Sequence, residues 1–333
     1  MFKFQDEKQR LIAISFGVSV LLLVIKFVAF FITGSNAILS DALESIINVV
    51  ASGFALYSIY LSALPKDENH PYGHGKIEFF SSGLEGALIV IAAFFIGFRS
   101  IEGLIDPSVP RNLPFGLLLI ALSTGVNFVL GLTLIKRSER LNSITIKADG
   151  KHILTDAWSS LVLLLGVVIV YLTGWPWLDS ALSLAFAFFI LYSGFQILKE
   201  SISALMDESS PKMIGKVVKS LNKNRRENWI DVHNLRVLRY GGDHHVDCHL
   251  TLPYYFTLTA VHDEVEEMER ILEKELPGVV EVFIHADPCL PDLCCQYCNV
   301  ADCAVRKYSK RHDIPWTSQN MAKNQKHYHE AID

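Results

Sequence analysis

Six stretches of roughly twenty residues, nearly free of charge, follow one another through the first two thirds of the chain: 11–33, 37–64, 79–99, 114–135, 143–173 and 177–198. A helix needs about 20 apolar residues to cross a ~30 Å hydrocarbon layer, and it satisfies its own backbone while doing so. The pattern predicts an α-helical membrane protein with six transmembrane helices. Composition agrees: 50% of residues are hydrophobic, only 20% are charged, and mean hydropathy is +0.30. That balance is unlike an ordinary soluble enzyme. With 30 Lys+Arg against 35 Asp+Glu the net charge is -5, so no basic field exists to hold phosphates, and nucleic acid is excluded as a partner.

Orientation follows from the short loops. One face collects Lys3, Lys8, Arg10, Lys66, Lys76, Lys136, Arg137, Arg140 and Lys199, whereas 34–36 and 174–176 carry no basic residue and 102–113 carries only Arg111. Basic loops stay inside, which puts both termini in the cytoplasm, and Trp175 and Trp177 fit the opposite interface. No small-residue cleavage site follows the first stretch, so it is expected to remain as a span in a lipid bilayer.

From about Ser203 the chain turns polar. Helical spacing at 211–222, alternation at 232–240 and 246–252, an amphipathic run at 259–276 and a short strand at 279–285 predict a small cytosolic α+β domain of order α-β-β-α-β. The expected division is 1–202 for the membrane unit, 203–288 for this domain, and 289–333 for a Cys- and His-rich tail.

Ionisable groups in hydrocarbon cost a few kcal/mol each and therefore mark candidate sites. The spans contain Lys26, Glu44, Asn48, Glu85, Asn127, Asp149, His152 and Asp156. Glu44 and Asn48 are four apart, as are His152 and Asp156, so each pair shares one helical face. Two such pairs could enclose a four-coordinate divalent ion. Measured from the outer ends of their spans, Asn48 lies ~16 Å deep and Asp156 ~25 Å, a mismatch of ~9 Å. The alternative is interhelical hydrogen bonding for Glu44 and Asn48 and an interfacial position for His152. Lys26 and Glu85 read as a buried ion pair or as snorkelling groups.

Three segments now carry a resemblance: Ser40-Asp-Ala-Leu-Glu-Ser-Ile-Ile-Asn48, Asp67-Glu-Asn-His-Pro-Tyr-Gly-His-Gly-Lys76 and Ala148-Asp-Gly-Lys-His-Ile-Leu-Thr-Asp156. They resemble the signatures of the cation diffusion facilitator family, and the likeness runs from about Lys8 to Pro288. It implies a homodimeric, proton-coupled exporter of divalent metals with six spans and a ferredoxin-like, metallochaperone-like cytosolic domain. Carried over by position, it implies a transport site of Glu44, Asn48, His152 and Asp156, a loop site of Asp67, His70 and His74, and a cytosolic site of His233, His249, His262, His285 and Asp287. The family usually has Asp or His where Glu44 stands and Asp where Asn48 stands, a departure that bears on metal choice and proton stoichiometry.

The donor set reads sensibly as chemistry. Two carboxylates offset a +2 charge, while an imidazole and an amide oxygen complete the shell; each titratable ligand binds metal only when deprotonated, so protons and metal compete. Zn²⁺ or Fe²⁺ is the favoured cargo, with Mn²⁺, Co²⁺ and Cd²⁺ as further candidates, and the absence of thiolates in the spans argues against Cu⁺. In the cytosolic domain, Cys248 and His249 fall on opposite faces of a strand, His285 and Asp287 share a face, and His244 and His245 are expected to be exposed at a turn. Cys289, Cys294, Cys295, Cys298 and Cys303 lie within fifteen residues and suit a Zn²⁺ site, the alternative being a disordered tail of spare thiols. The leading function is a proton-coupled metal exporter. The rival classes are a membrane metal sensor without transport and, more weakly, an intramembrane metallohydrolase, which lacks a His-Glu-x-x-His helix.

Overall fold

The computed structural model describes residues 7–33, 36–105, 114–173, 175, 177–276 and 280–329, with some side chains inside the helices, Glu44 among them, outside the description. The chain divides into two compact units, Met1–Met206 and Asp207–Asp333.

The first unit is six long helices: α1 (Glu7–Thr33), α2 (Asn36–Ser62), α3 (Ile77–Ile105), α4 (Pro114–Leu141), α5 (Ile144–Thr173) and α6 (Trp177–Leu205). Several run past the apolar stretches by a turn or two, because polar turns such as those around Lys136 and Lys199 continue the hydrogen-bond ladder outside the hydrocarbon. By length and apolarity among the described residues, Glu7–Val28 and Ile77–Ile105 each suffice to cross a bilayer. The other four run partly through side chains outside the description.

Small residues bring two helix pairs close. A Cβ on Gly86 would stand 2.9 Å from the Leu198 backbone nitrogen, and one on Gly194 would stand 3.1 Å from the Gly86 oxygen, so α3 and α6 touch backbone to backbone. Gly131 and Gly150 do the same for α4 and α5, where a Cβ on Gly150 would meet the Ile135 nitrogen at 3.0 Å. Apolar side chains such as Ile12, Ile59, Leu134 and Ile153 fill the space among α1, α2, α4 and α5. Buried acids fasten the rest. Asp149 accepts from Ser15 at 2.5 Å and Ser52 at 2.7 Å, joining α5 to α1 and α2. Glu78 accepts from Ser143 at 2.6 Å and faces Lys8 at 3.6 Å. Both Glu85 carboxylate oxygens are buried without a hydrogen-bond partner among the described residues.

The second unit is α7 (Pro211–Lys223), β1 (Asp231–Tyr240), β2 (Asp243–Leu252), α8 (Leu258–Glu275) and β3 (Val280–Pro288), followed by the short helices α9 (Pro291–Cys294) and α10 (Ser318–Met321). Pro211 starts α7, and the Thr257 hydroxyl caps α8 by accepting from the Ala260 amide at 3.3 Å. The sheet order is β1-β2-β3, with β1 antiparallel and β3 parallel to β2. Val217, Leu221, Val246, Leu250, Met268 and Leu272 form its core.

The described residues after Pro288, 289–329, pack onto the same domain. Trp316 and Met321 are buried in the same core as the sheet. The Arg225 guanidinium lies 3.9 Å from the Trp316 ring centroid, Asn222 donates to the Trp316 carbonyl at 2.9 Å, and the Asn234 amide donates to the Lys323 carbonyl at 2.7 Å. Two large apolar side chains in an otherwise polar segment are what pull it down.

The helix contacts are testable. Gly150→Val is expected to push α4 from α5 and destabilise the first unit by about 1–3 kcal/mol, the usual cost of overpacking. Gly17→Ala, with nothing within 4 Å of the added carbon, serves as the control. Thermal melts in detergent should show a lower midpoint for the first variant alone; equal midpoints would refute the contact.

Candidate metal sites

Asn48 on α2 and His152 and Asp156 on α5 meet inside the helical unit. His152 Nε2 stands 2.7 Å from Asn48 Oδ1. An amide oxygen only accepts, so the imidazole donates there and leaves the lone pair on Nδ1. Asp156 Oδ2 accepts from Asn127 Nδ2 of α4 at 2.8 Å. That leaves two buried ligand atoms, His152 Nδ1 and Asp156 Oδ1, with no hydrogen-bond partner among the described residues. Asn48, His152, Thr155, Asp156 and Ser159 line one cavity of about 20 Å³, closed by Ile89 and Ile190 among others. One small ion or water fills such a volume. Asn48 and the α5 pair meet despite the ~9 Å mismatch counted from the sequence; the assumed outer ends agree with α2 and α5 to within one residue, so counting along straight helices fails because it ignores tilt. Glu44 lies one turn before Asn48 on α2, and its side chain is outside the described residues. Asn127, one of several polar residues in the spans by sequence, is distinguished only by the fold, which delivers it to Asp156.

The loop between α2 and α3 builds a second group. The Asp67 carboxylate accepts from the His70 amide at 2.7 Å, lies 3.0 Å from His70 Nδ1, and reaches His74 Nε2 at 3.3 Å. The two rings are 4.3 Å apart. Gly73, at φ +87, turns the chain so that both imidazoles face one carboxylate. Burial works against the Asp67 charge, but the His70 amide and the two rings outweigh it and hold its pKa below the ordinary carboxylate value.

The third group follows from strand register. His233, His249 and His285 stand in one row across the sheet, and Asp287 lies two residues on along β3. Asp287 Oδ2 is 3.4 Å from both His233 Nε2 and His249 Nδ1, and Oδ1 is 3.5 Å from His285 Nε2. Among the described residues, Asp67–His70–His74 and His233–His249–Asp287 are the groups of three or more possible ligands whose donor atoms lie within 4.8 Å of one another. Burial pushes the pKa of His233 below its ordinary 6.5, with Asp231 opposing, which keeps the ring neutral and able to ligate. His262 is exposed on α8 and is not brought to this group within one chain. His244 and His245 are buried, not exposed, because β2 begins at Asp243 and carries both into the sheet; His245 packs on Tyr240 and lies 3.4 Å from Glu281. Cys248 is in the core, facing away from His249 as the alternation predicts.

Two sequence signatures match the chain: the cation efflux transmembrane domain over residues 12–206 and the cation efflux protein cytoplasmic domain over 210–289. The chain belongs to the cation efflux, or cation diffusion facilitator, family. It is a membrane transporter of divalent metal cations with a dimerisation domain, not an enzyme. Among relatives, it is 34% identical over 275 residues to an uncharacterized transporter, sll1263, of Synechocystis sp., covering 83% of this chain and 88% of that one. It is 28% identical over 281 residues to the cation-efflux pump FieF of Escherichia fergusonii, covering 81% and 89%, and 28% identical over 274 residues to that of Salmonella arizonae, covering 80% and 88%.

One residue of this cation efflux protein was not visible as a site residue in its sequence. Lys326, beyond the matched domain, places its ammonium 3.4 Å from Asp287 Oδ2, the oxygen shared by His233 and His249. A built-in cation there competes with an incoming one. Lys326→Met is expected to tighten metal binding at this group several-fold, since a partly exposed pair at that distance is worth up to about 1 kcal/mol. Calorimetric titration of the full-length protein and the variant checks it; unchanged affinity would show that the ammonium does not compete.

Proposed function

We propose that the protein is a homodimeric antiporter that carries a divalent metal ion out of the cytoplasm in exchange for protons, with Zn²⁺ or Fe²⁺ as the favoured cargo and Mn²⁺, Co²⁺ and Cd²⁺ as lesser ones. The observation that carries this reading is the pair of open buried donors, His152 Nδ1 and Asp156 Oδ1, in a cavity of single-ion size. Unpartnered polar atoms in a membrane unit are costly, and a transient ligand accounts for them. With the Asn48 carbonyl oxygen, and with Glu44 by its place on α2, they make a mixed oxygen and nitrogen shell of the kind that binds these ions reversibly.

Coupling follows from shared lone pairs. The imidazole and the carboxylate hold either a proton or the metal, so a cavity opened in turn to each side exchanges one for the other. In this reading α1 to α6 all cross the bilayer of a bacterial inner (plasma) membrane, with both termini in the cytoplasm. The loop group at Asp67, His70 and His74 holds a second ion, and His233, His249, His285 and Asp287 sense cytoplasmic metal.

Proteoliposomes with an acidic lumen test the proposal. The wild type should accumulate metal, and an ionophore that collapses the pH gradient should lower uptake. His152→Ala and Asp156→Ala should abolish it, and Asn48→Asp should shift the metal preference or the pH profile. Uptake at the wild-type rate in either alanine variant rejects the site, and uptake indifferent to the gradient rejects proton coupling.

A further inference from the structure

We infer that the segment from Cys289 to Cys303 is a thiolate site that holds one Zn²⁺-class ion permanently, independent of the transport route. All five of its cysteines are free, and Cys289, Cys294, Cys295 and Cys298 are buried. The five thiols line a single cavity of about 10 Å³ whose other walls are apolar or proline side chains. That volume is of single-ion size.

The backbone around the sulfurs is arranged as a ligand scaffold. The Leu290 amide donates to Cys294 Sγ at 3.3 Å, and the Tyr297 hydroxyl lies 3.5 Å from the same sulfur. The Arg306 guanidinium donates to the carbonyls of Cys295, at 3.3 Å, Cys298, at 3.5 Å, and Val300, drawing the loop around one centre. It also sets a fixed positive charge beside a complex whose net charge, with four thiolates on Zn²⁺, is −2. Between Cys294 and Ser318 there is no helix or strand, yet Tyr297, Cys298 and Val300 are buried. Irregular segments of this size are usually stapled by a metal or by disulfides, and disulfides are not formed here. No three of these sulfurs lie within 4.8 Å of one another, wider than a closed tetrahedral shell, so binding requires them to close by rotation about their Cα–Cβ bonds. Four thiols, taken as Cys289, Cys294, Cys298 and Cys303, bind Zn²⁺ and release four protons.

The site also reaches the histidine row. Tyr297 Oη lies 3.3 Å from Asp231 Oδ2, while Asp231 Oδ1 is 3.8 Å from His233 Nδ1. Fixing Cys294 therefore fixes the support of a residue in the cytosolic metal group.

Because Trp316 and Met321 belong to the domain core, the test uses substitutions rather than truncation. Full-length protein purified in detergent under reducing conditions, after mild chelation, should retain one more zinc per chain than the Cys289→Ser/Cys298→Ser variant. Its cysteines should become reactive to a thiol reagent only after strong chelation. Co²⁺ exchanged into the wild type should show thiolate-to-cobalt charge transfer, which oxygen and imidazole sites do not give and which does not depend on whether the variant folds. Absence of that band, equal zinc in both proteins, thiols freely labelled with zinc present, or disulfides found by mass spectrometry would each overturn the assignment.

Discussion

A polar group removed from water must find its partner inside the protein, and in a helical membrane unit that rule decides which helices touch and where. Asp149 and Asp156 lie two turns apart on α5, chemically alike and equally buried, but they are spent differently. Both oxygens of Asp149 accept from serine hydroxyls of α1 and α2, so the residue is a fastener. Asp156 gives one oxygen to Asn127 and keeps the other open. His152 divides in the same way, one nitrogen engaged by Asn48 and one left over. The neighbours hold each ligand still without exhausting it, which is the arrangement a reversible metal site needs.

Glycine contacts make this possible. Gly131 and Gly150 let α4 approach α5 at backbone distance, about half a turn from the level of His152. A side chain there would separate the helices, and the single hydrogen bond from Asn127 to Asp156 has a reach of only 2.8 Å. Packing and chemistry are therefore set by the same few residues.

The helices and the α-β-β-α-β order are legible in the sequence because each rests on a local period, whereas the grouping of His233, His249 and His285 comes from the family resemblance and their standing in one row from strand register. What was not legible depends on long-range packing. No local pattern says that Trp316 and Met321 return to the sheet's core, that Lys326 reaches Asp287 from thirty-nine residues away in sequence, or that Asn127 faces Asp156. His244 and His245 depart from expectation for a nearer reason: the turn at Gly241 and Gly242 ends before them, and a strand that begins at Asp243 buries both. His262 shows the converse, a residue matched by position that a single chain leaves exposed and apart from its supposed partners.

The two kinds of metal chemistry in the chain differ in what they ask of the ligands. At Asn48, His152 and Asp156 the described donors bring one formal negative charge, and the amide at 48 supplies a dipole where its usual counterpart in the family supplies a second carboxylate. Less charge means a weaker pull on a dication and a smaller penalty for letting it go, so geometry rather than field must select the ion. Sulfur ligands are softer and bind Zn²⁺ more tightly, and the thiolate site proposed for the second unit would offer them in a cavity lined otherwise by apolar and proline side chains. A transporter gains from keeping these apart: a thiolate in the membrane route would trap the cargo, whereas one in the cytosolic unit can anchor Tyr297, and through it Asp231 and His233, without slowing the ion that moves.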